Sequence, residues 1–386
     1  MPPDALWPTD GAFFARNDLA RLPLTGYTDY HIDSVTLNLM GLMGHRPAVR
    51  HISGATDAIR QALTDAGLPG GEETLTYATG AEAERHAATL RDRGFRFITF
   101  FPLPPDRWPE AAQVVPPALW NALNAKANLG DLVPSAHLPL RAVMTRDTAR
   151  ARTWDGPVWV KSAGPSPTGG GFAVRPVTDP ADWPAALDAL AALPDTDTLV
   201  VEEHVPVTSC WAVQIGITDA GTRYGGSAEQ TFATPGEQDG SLHDAANPFP
   251  APELAIAVGE AARQRGFRGI AGLDIGQAED GRLIVFDPNF RTTSSTSIAM
   301  FAPAAMARAG LPVALTVDVF STMPMEQMIA ATRGPVADGW FVPTRMLDAT
   351  LFPPAKGLSR VSGFVLASDR AAAARVRDDL TRILGA

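Results

Sequence analysis

The stretch GIAGLDIGQAEDGRLIVFDPNFR, Gly269 to Arg291, contains two short alternating runs around Asp280-Gly281. That dipeptide favours a two-residue hairpin turn because glycine tolerates positive φ. With a loop of those two residues, Glu279 lies opposite Arg282 and Asp274 lies opposite Asp287, both acids on one face. Carboxylates directly across a ladder repel by roughly 0.2–1 kcal/mol, and by more when partly buried. A cation between them reverses the sign. Asn289 follows Asp287 by two, so strand periodicity puts its amide oxygen on the same face. The trio offers three hard oxygens, a seat for Mg2+. The competing reading is an exposed hairpin whose acids face water, and a longer loop would shift the register.

Upstream, GPVWVKSAGPSPTGGGFAVRPV (Gly156–Val177) alternates so that Val158 and Val160 share one face and Trp159 and Lys161 the other. Gly169, Gly170 and Gly171 lack Cβ, so their N–H groups can converge on an anion and the loop can open and close. It is not a Walker A loop, since it joins two strands and lacks the Gly-Lys-Ser/Thr ending. A helix with Trp183, Leu187 and Leu190 inward follows, capped by Thr178 or Asp179, and then the strand TLVVEEHVPV. Before this block, ALWNALNAKANLGDLV reads as a helix with Lys126 within it.

An acid on a glycine-flanked strand, a hairpin and then acid-x-Asn-x-Arg resembles the metal-binding end of the ATP-grasp ligases. The order strand, Gly loop, strand, helix, strand ending in Glu-Glu-x-apolar is similar to the same family. The resemblance implies that Asp274, Asp287 and Asn289 hold Mg2+ on the phosphates of ATP. Lys126 and Lys161 would contact those phosphates, and Gly169–Gly171 would close over them. The backbone of Glu203 and Val205 would bind the adenine edge with Glu202 beside it. Arg291 is the implied catalytic residue, binding the substrate carboxylate or steadying an oxyanion. Three departures stand out: Asp287 replaces the family's usual Glu, Gly272 occupies a position where some branches carry Arg, and TSCWAVQ lacks the acid that often binds ribose.

The implied fold is α/β and α+β, a Rossmann-like domain followed by an ATP-grasp fold. We expect residues 1–115 to be the Rossmann-like domain and 116–205 the subdomain with the Gly-rich lid. Residues 206–330 would form the subdomain with the metal hairpin, and 331–386 a closing element. The implied activity is ATP-dependent joining of a carboxylate to an amine through an acyl phosphate, as in the peptide or amide ligases of small-molecule biosynthesis. The competing classes are a grasp-fold kinase and a nucleotide-binding module without catalysis.

Composition agrees with this class. Of 386 residues 45% are hydrophobic and 19% charged, and the net charge of −10 with no Lys/Arg cluster argues against nucleic acid or anionic membrane as a partner. The expected partners are a small-molecule acid and amine, with a homodimer one admissible assembly. A single cysteine, Cys210, excludes an internal disulfide, and no run of 18 apolar residues occurs, so a cytoplasmic protein is expected.

The flanks complete the reading. From Tyr30 to Phe101, VTLNLM, a helix with Ile59 and Leu63, and RFITFF alternate as in a βαβ layer, without a dinucleotide fingerprint. His31, His45 and His51 match no ligand spacing. Pro102–Pro117 is the best domain boundary. PGEQDGSLHDAANPFPAPE reads as a loop. RTTSSTS (Arg291–Ser297) reads as a capped helix start or as a hydroxyl-rich wall for a substrate carboxylate. Glu229 and Gln230 stand at polar strand positions. A final strand and helix would turn Val376, Leu380 and Ile383 inward.

Overall fold

The computed structural model describes residues 3–15, 37, 40–154, 156–164, 173–193, 196–234, 237–352 and 357–385. The first sheet contains β1 (Gly11–Phe14), β2 (Pro47–His51), β3 (Glu73–Tyr77) and β4 (Arg96–Ile98), all parallel in the order β3-β2-β1-β4. Helices α1 (Asp57–Asp65) and α2 (Gly80–Asp92) connect the strands. Thr56 caps α1, and Thr79 with Glu82 forms a capping box on α2. The first strand is GAFF, where the sequence suggested VTLNLM. All four of its residues are buried, and a strand covered on both faces shows no alternation to read. Within VTLNLM, Leu37 and Met40 lie in a turn closed by the Met40 N–H on the Leu37 carbonyl, and the other positions lie outside the described residues.

Helix α3 (Pro117–Asn124) ends sooner than its apolar spacing suggested. Ala125 caps it, and Lys126 opens a 3-10 segment, Lys126–Asp131. Then β5 (Arg141–Thr145), α4 (Arg146–Arg150), β6 (Val158–Ser162), β7 (Val174–Val177), α5 (Trp183–Ala191) and β8 (Thr198–Glu203) form an antiparallel sheet in the order β5-β8-β6-β7. Val158, Val160, Leu199 and Val201 pack on Trp183, Leu187 and Leu190. The strand period therefore sends Trp159, Lys161 and Glu202 to the other face.

The third sheet has eight strands: β9 (Val207–Thr218), β10 (Gly221–Thr234), β11 (Glu237–Asp244), β12 (Gly269–Ala278), β13 (Leu283–Asn289), β14 (Val313–Ser321), β15 (Phe341–Leu347) and β16 (Ser359–Ala367). Their order is β13-β12-β9-β10-β11-β14-β16-β15. Helices α6 (Pro252–Gln264), α7 (Thr296–Ala309), α8 (Met325–Ala337) and α9 (Arg370–Ile383) pack on it. β11 replaces the first half of the expected loop: its Gln238 and Ser241 are polar because they join a hydrogen-bond network rather than an apolar core. Residues 331–386 add β15 and β16 to the same sheet. In α9 Leu380 is buried, as is Leu384 just after the helix, whereas Ile383 is 43% exposed and does not face inward.

Helix α7 lies close against β10 at Gly226, whose φ is +136°. A Cβ there would meet the Ala299 carbonyl oxygen at 2.0 Å. Gly226→Ala should cost at least about 2 kcal/mol from backbone strain and overlap combined. Chemical denaturation measures this, and an unchanged midpoint would show that the contact yields.

Candidate active site

Asp274 pairs with Asp287 and Gly272 with Asn289, the register expected from the sequence. The route to it differs. The Ala278 N–H donates to the Arg282 carbonyl and the Gly281 N–H to the Ala278 carbonyl, so the loop is Glu279, Asp280 and Gly281. Gly281 has φ +86°, the left-handed residue of a three-residue hairpin. One extra loop residue alone would set Asp274 against Phe286. A bulge between Asp274 and Ile275, with Ile275 paired to Val285, restores the pairing. The bulge also changes which residues share a face. Val285 packs in the core, Ile284 and Phe286 line an apolar cluster with Val205 and Ala278, and Asp287 follows on the same side as Phe286.

Two lysines converge on this segment from separate elements. Lys126 Nζ contacts Asp287 Oδ1, and Lys161 Nζ donates to the Phe286 carbonyl at 3.3 Å. Lys161 also pairs with Glu202 at 2.5 Å, their side chains 9% and 2% exposed. Glu202 lies opposite Arg141, which sits 3.6 Å away and donates to the Lys126 carbonyl. Arg141 carried no sequence signal, because its pairing with Glu202 joins residues far apart in the chain. The carboxylate of Glu202 therefore faces Lys161 and Arg141. Burial first, and then the Asp287 carboxylate, push Asp274 up to about 7 against the pull of Lys126, Arg291 and Lys161.

The donor set of Asp274, Asp287 and Asn289 suits a hard divalent cation such as Mg2+, which would relieve the mutual repulsion of the two acids. Among the described residues no group of three His, Cys, Asp or Glu could hold a metal. Such an ion would therefore complete its shell with substrate oxygens and water. Val205 is buried, and its N–H has no partner among the described residues. The Glu203 N–H donates to the Leu140 carbonyl. Gly169, Gly170 and Gly171 lie outside the described residues.

Arg291 stacks over Phe100 and Phe101 at 4.9 and 5.3 Å, so the segment after β4 holds its guanidinium. It borders a polar cavity with Asn124, Lys126, Ser162, Asp287 and Asn289. A Cβ on Gly272 would come within 2.8 Å of the Thr293 methyl and 3.1 Å of the Gln214 amide, so the space beside that glycine is filled. Fully buried Gln214 accepts from Thr296 Oγ1 and donates to Thr293 Oγ1. Ser295 is the N-cap residue of α7, yet its hydroxyl makes no cap. It lies 2.8 Å from Ser241 and accepts from Gln238. Glu229 turns away from Gln230, binding Arg370 and Asn247. Cys210 is buried, and burial raises its thiol pKa.

Two family profiles match the chain and together span more than half of it. The L-aspartate–L-methionine ligase N-terminal domain matches residues 3–121, and the L-aspartate–L-methionine ligase ATP-grasp domain matches residues 139–289. Among solved structures, an ADP complex of N5-carboxyaminoimidazole ribonucleotide synthetase aligns with TM-score 0.55 and 15% identity, covering 90% of this chain and 94% of that one. The N5-carboxyaminoimidazole ribonucleotide synthetase of Thermotoga maritima gives 0.52 and 12%, over 97% and 98%. A biotin carboxylase ATP-analogue complex from Campylobacter jejuni gives 0.53 and 12%, over 89% and 87%. At these identities the likeness is one of fold, an N-terminal domain followed by an ATP-grasp fold. No helix among the described residues is long and apolar enough to cross a membrane.

Proposed function

We propose a specific reaction for this chain, which belongs to the L-aspartate–L-methionine ligase family of ATP-grasp carboxylate–amine ligases: it joins L-aspartate, through a carboxylate, to the amine of L-methionine. The aspartate carboxylate oxygen attacks the γ-phosphorus of ATP, the bond to the β–γ bridging oxygen breaks, and ADP leaves. The methionine nitrogen then attacks the acyl carbon, the amide bond forms, and phosphate departs as the nitrogen loses its proton. The observation that carries the site assignment is the convergence of Lys126 and Lys161 on Phe286-Asp287, where Asp287 faces Asp274.

Positioning and charge neutralisation do most of the work in phosphoryl transfer. Lys126 and Lys161 exchange their carboxylate partners for phosphate oxygens. Asp274, Asp287 and Asn289 hold Mg2+, which supplies charge neutralisation on the phosphates when bound. The Glu203 carbonyl and Val205 N–H meet the adenine edge above the wall of Val205, Ala278, Ile284 and Phe286. The planar fork of Arg291 binds a carboxylate of the acid or the oxyanion formed at its acyl carbon. The test is mass spectrometry after incubation with MgATP, aspartate and methionine. A dipeptide lighter by one water than its parts, with ADP and phosphate, is the expected result. A phosphorylated amino acid without dipeptide would establish a kinase instead.

The titration of Asp274 gives a second expected outcome. Folded and ligand-free, it keeps its proton to about pH 7, against an ordinary aspartate value of 3.8. Across that window the folded state holds the extra proton, so this carboxyl's contribution to stability falls as pH rises from about 4 to about 7. MgATP requires the carboxylate, so binding at pH 6 should release up to about one proton and be about tenfold weaker than at pH 8. Calorimetry in buffers of different ionisation heat counts the proton. Zero release at pH 6 would remove Asp274 from the site.

A further inference from the structure

We infer that Gln230 is a positioning residue for Asp274, holding one carboxylate oxygen by a directed chain of hydrogen bonds so that the other faces the cation; this rests on the metal seat proposed above. Gln230 stands on β10 and Asp274 on β12, with β9 between them. The β9 residue level with Asp274 is Ala212, and a larger side chain there would stand in the way. Across that gap Gln230 Nε2 donates to Asp274 Oδ1 at 3.0 Å.

The direction of the chain is determined by chemistry. With a cation bound, Asp274 is ionised and only accepts, so the Gln230 amide nitrogen must then face Asp274 and its oxygen the other way. That oxygen lies 3.0 Å from Cys210 Sγ, so the thiol donates. Gln230 Nε2 also donates to Gln238 Oε1 at 3.2 Å, which orients the second amide. Gln238 Nε2 then has the Gly240 carbonyl, Ser241 Oγ and Ser295 Oγ in reach at 2.9, 3.0 and 3.1 Å and shares its two hydrogens among them. Ser295 opens helix α7, so the chain ends on a rigid element. This accounts for a cap hydroxyl that does not cap, for a buried thiol beside an amide oxygen, and for the polar Gln238 and Ser241 on β11. Partners that orient a metal ligand in this manner are worth about 10–100-fold in metal affinity.

The experiment counts Mn2+ bound in the presence of a non-hydrolysable ATP analogue by electron paramagnetic resonance. Gln230→Met keeps the side-chain length and removes the donor. It should weaken Mn2+ binding by about tenfold or more, with analogue binding in the absence of metal unchanged. Cys210→Ala should give a smaller loss, whereas Cys210→Ser, which keeps a donor, should hold the wild-type value. Wild-type affinity in Gln230→Met alongside loss in Asp274→Asn would overturn the positioning role and leave the metal seat intact. If Asp274→Asn also binds Mn2+ normally, the seat itself fails. Should Gln230→Met not fold, equal affinities in the two Cys210 variants would overturn the directed chain.

Discussion

Asp287→Asn should lower ATP-dependent dipeptide formation by about 10²–10³-fold, the range found when one preorganised charge-stabilising group is removed, while the protein stays folded. Asp287 serves two contacts, the Lys126 ammonium and the face shared with Asp274. As a surface pair only, the two acids repel, and the substitution would raise stability slightly and change nothing else. As ligands of Mg2+ they are bound to its strict octahedral demand, and an amide at 287 withdraws a charge that nothing nearby replaces. A melting curve with and without MgATP separates these cases. A ligand at about 100 times its Kd stabilises by about 2.7 kcal/mol, a shift that should be present in wild type and absent in the variant. A variant fully active and still stabilised by MgATP would sink the metal assignment.

Lys161→Met should act on two observables at once. Its side chain and that of Glu202 are almost wholly buried and paired at 2.5 Å, and breaking such a pair from one side costs about 3–5 kcal/mol because a buried charge is stranded. Arg141, 3.6 Å from Glu202, reduces the loss by supplying a second cation. ATP affinity should fall at least about tenfold, or about 1.4 kcal/mol. Adding Glu202→Gln should restore most of the stability and none of the affinity. Calorimetric titration together with denaturant melts reads both. Unchanged ATP affinity in the single variant would take Lys161 out of the nucleotide site.

The hairpin and the β6 face were legible because both depend on local rules, a turn dipeptide and a period of two. Asp274, Asp287 and Asn289 came out in the expected register although the loop has three residues, since an unannounced bulge at Phe286 cancelled the difference. GAFF was illegible for the opposite reason, its four residues being buried on both faces, so that no periodicity exists. β11 was hidden by its own chemistry, since Gly, Ser and Asp are turn residues by composition, whereas here Gln238 and Ser241 join a hydrogen-bond network. The spacing of Leu119, Leu123 and Leu129 reads as a helix that includes Lys126, whereas Ala125 leaves helical geometry and turns the lysine toward Asp287. Arg141 and Gln238 act through partners remote in sequence, and no single stretch announces them.

The bulge at Phe286 works as a frame shift written in one residue. Counted from Ile284, an unbroken strand would send even positions toward the side that Asp274 occupies and odd positions into the core, which would bury Asp287 and Asn289 among aliphatic side chains. With the shift, neighbours 286 and 287 occupy one side, so an aromatic ring and a carboxylate stand next to each other on a single strand. Single-residue insertions or deletions should therefore divide sharply by location. Those within Glu279–Gly281 alter only the tip, while one that erases the irregularity between Val285 and Asp287 exchanges the two sides of everything after it.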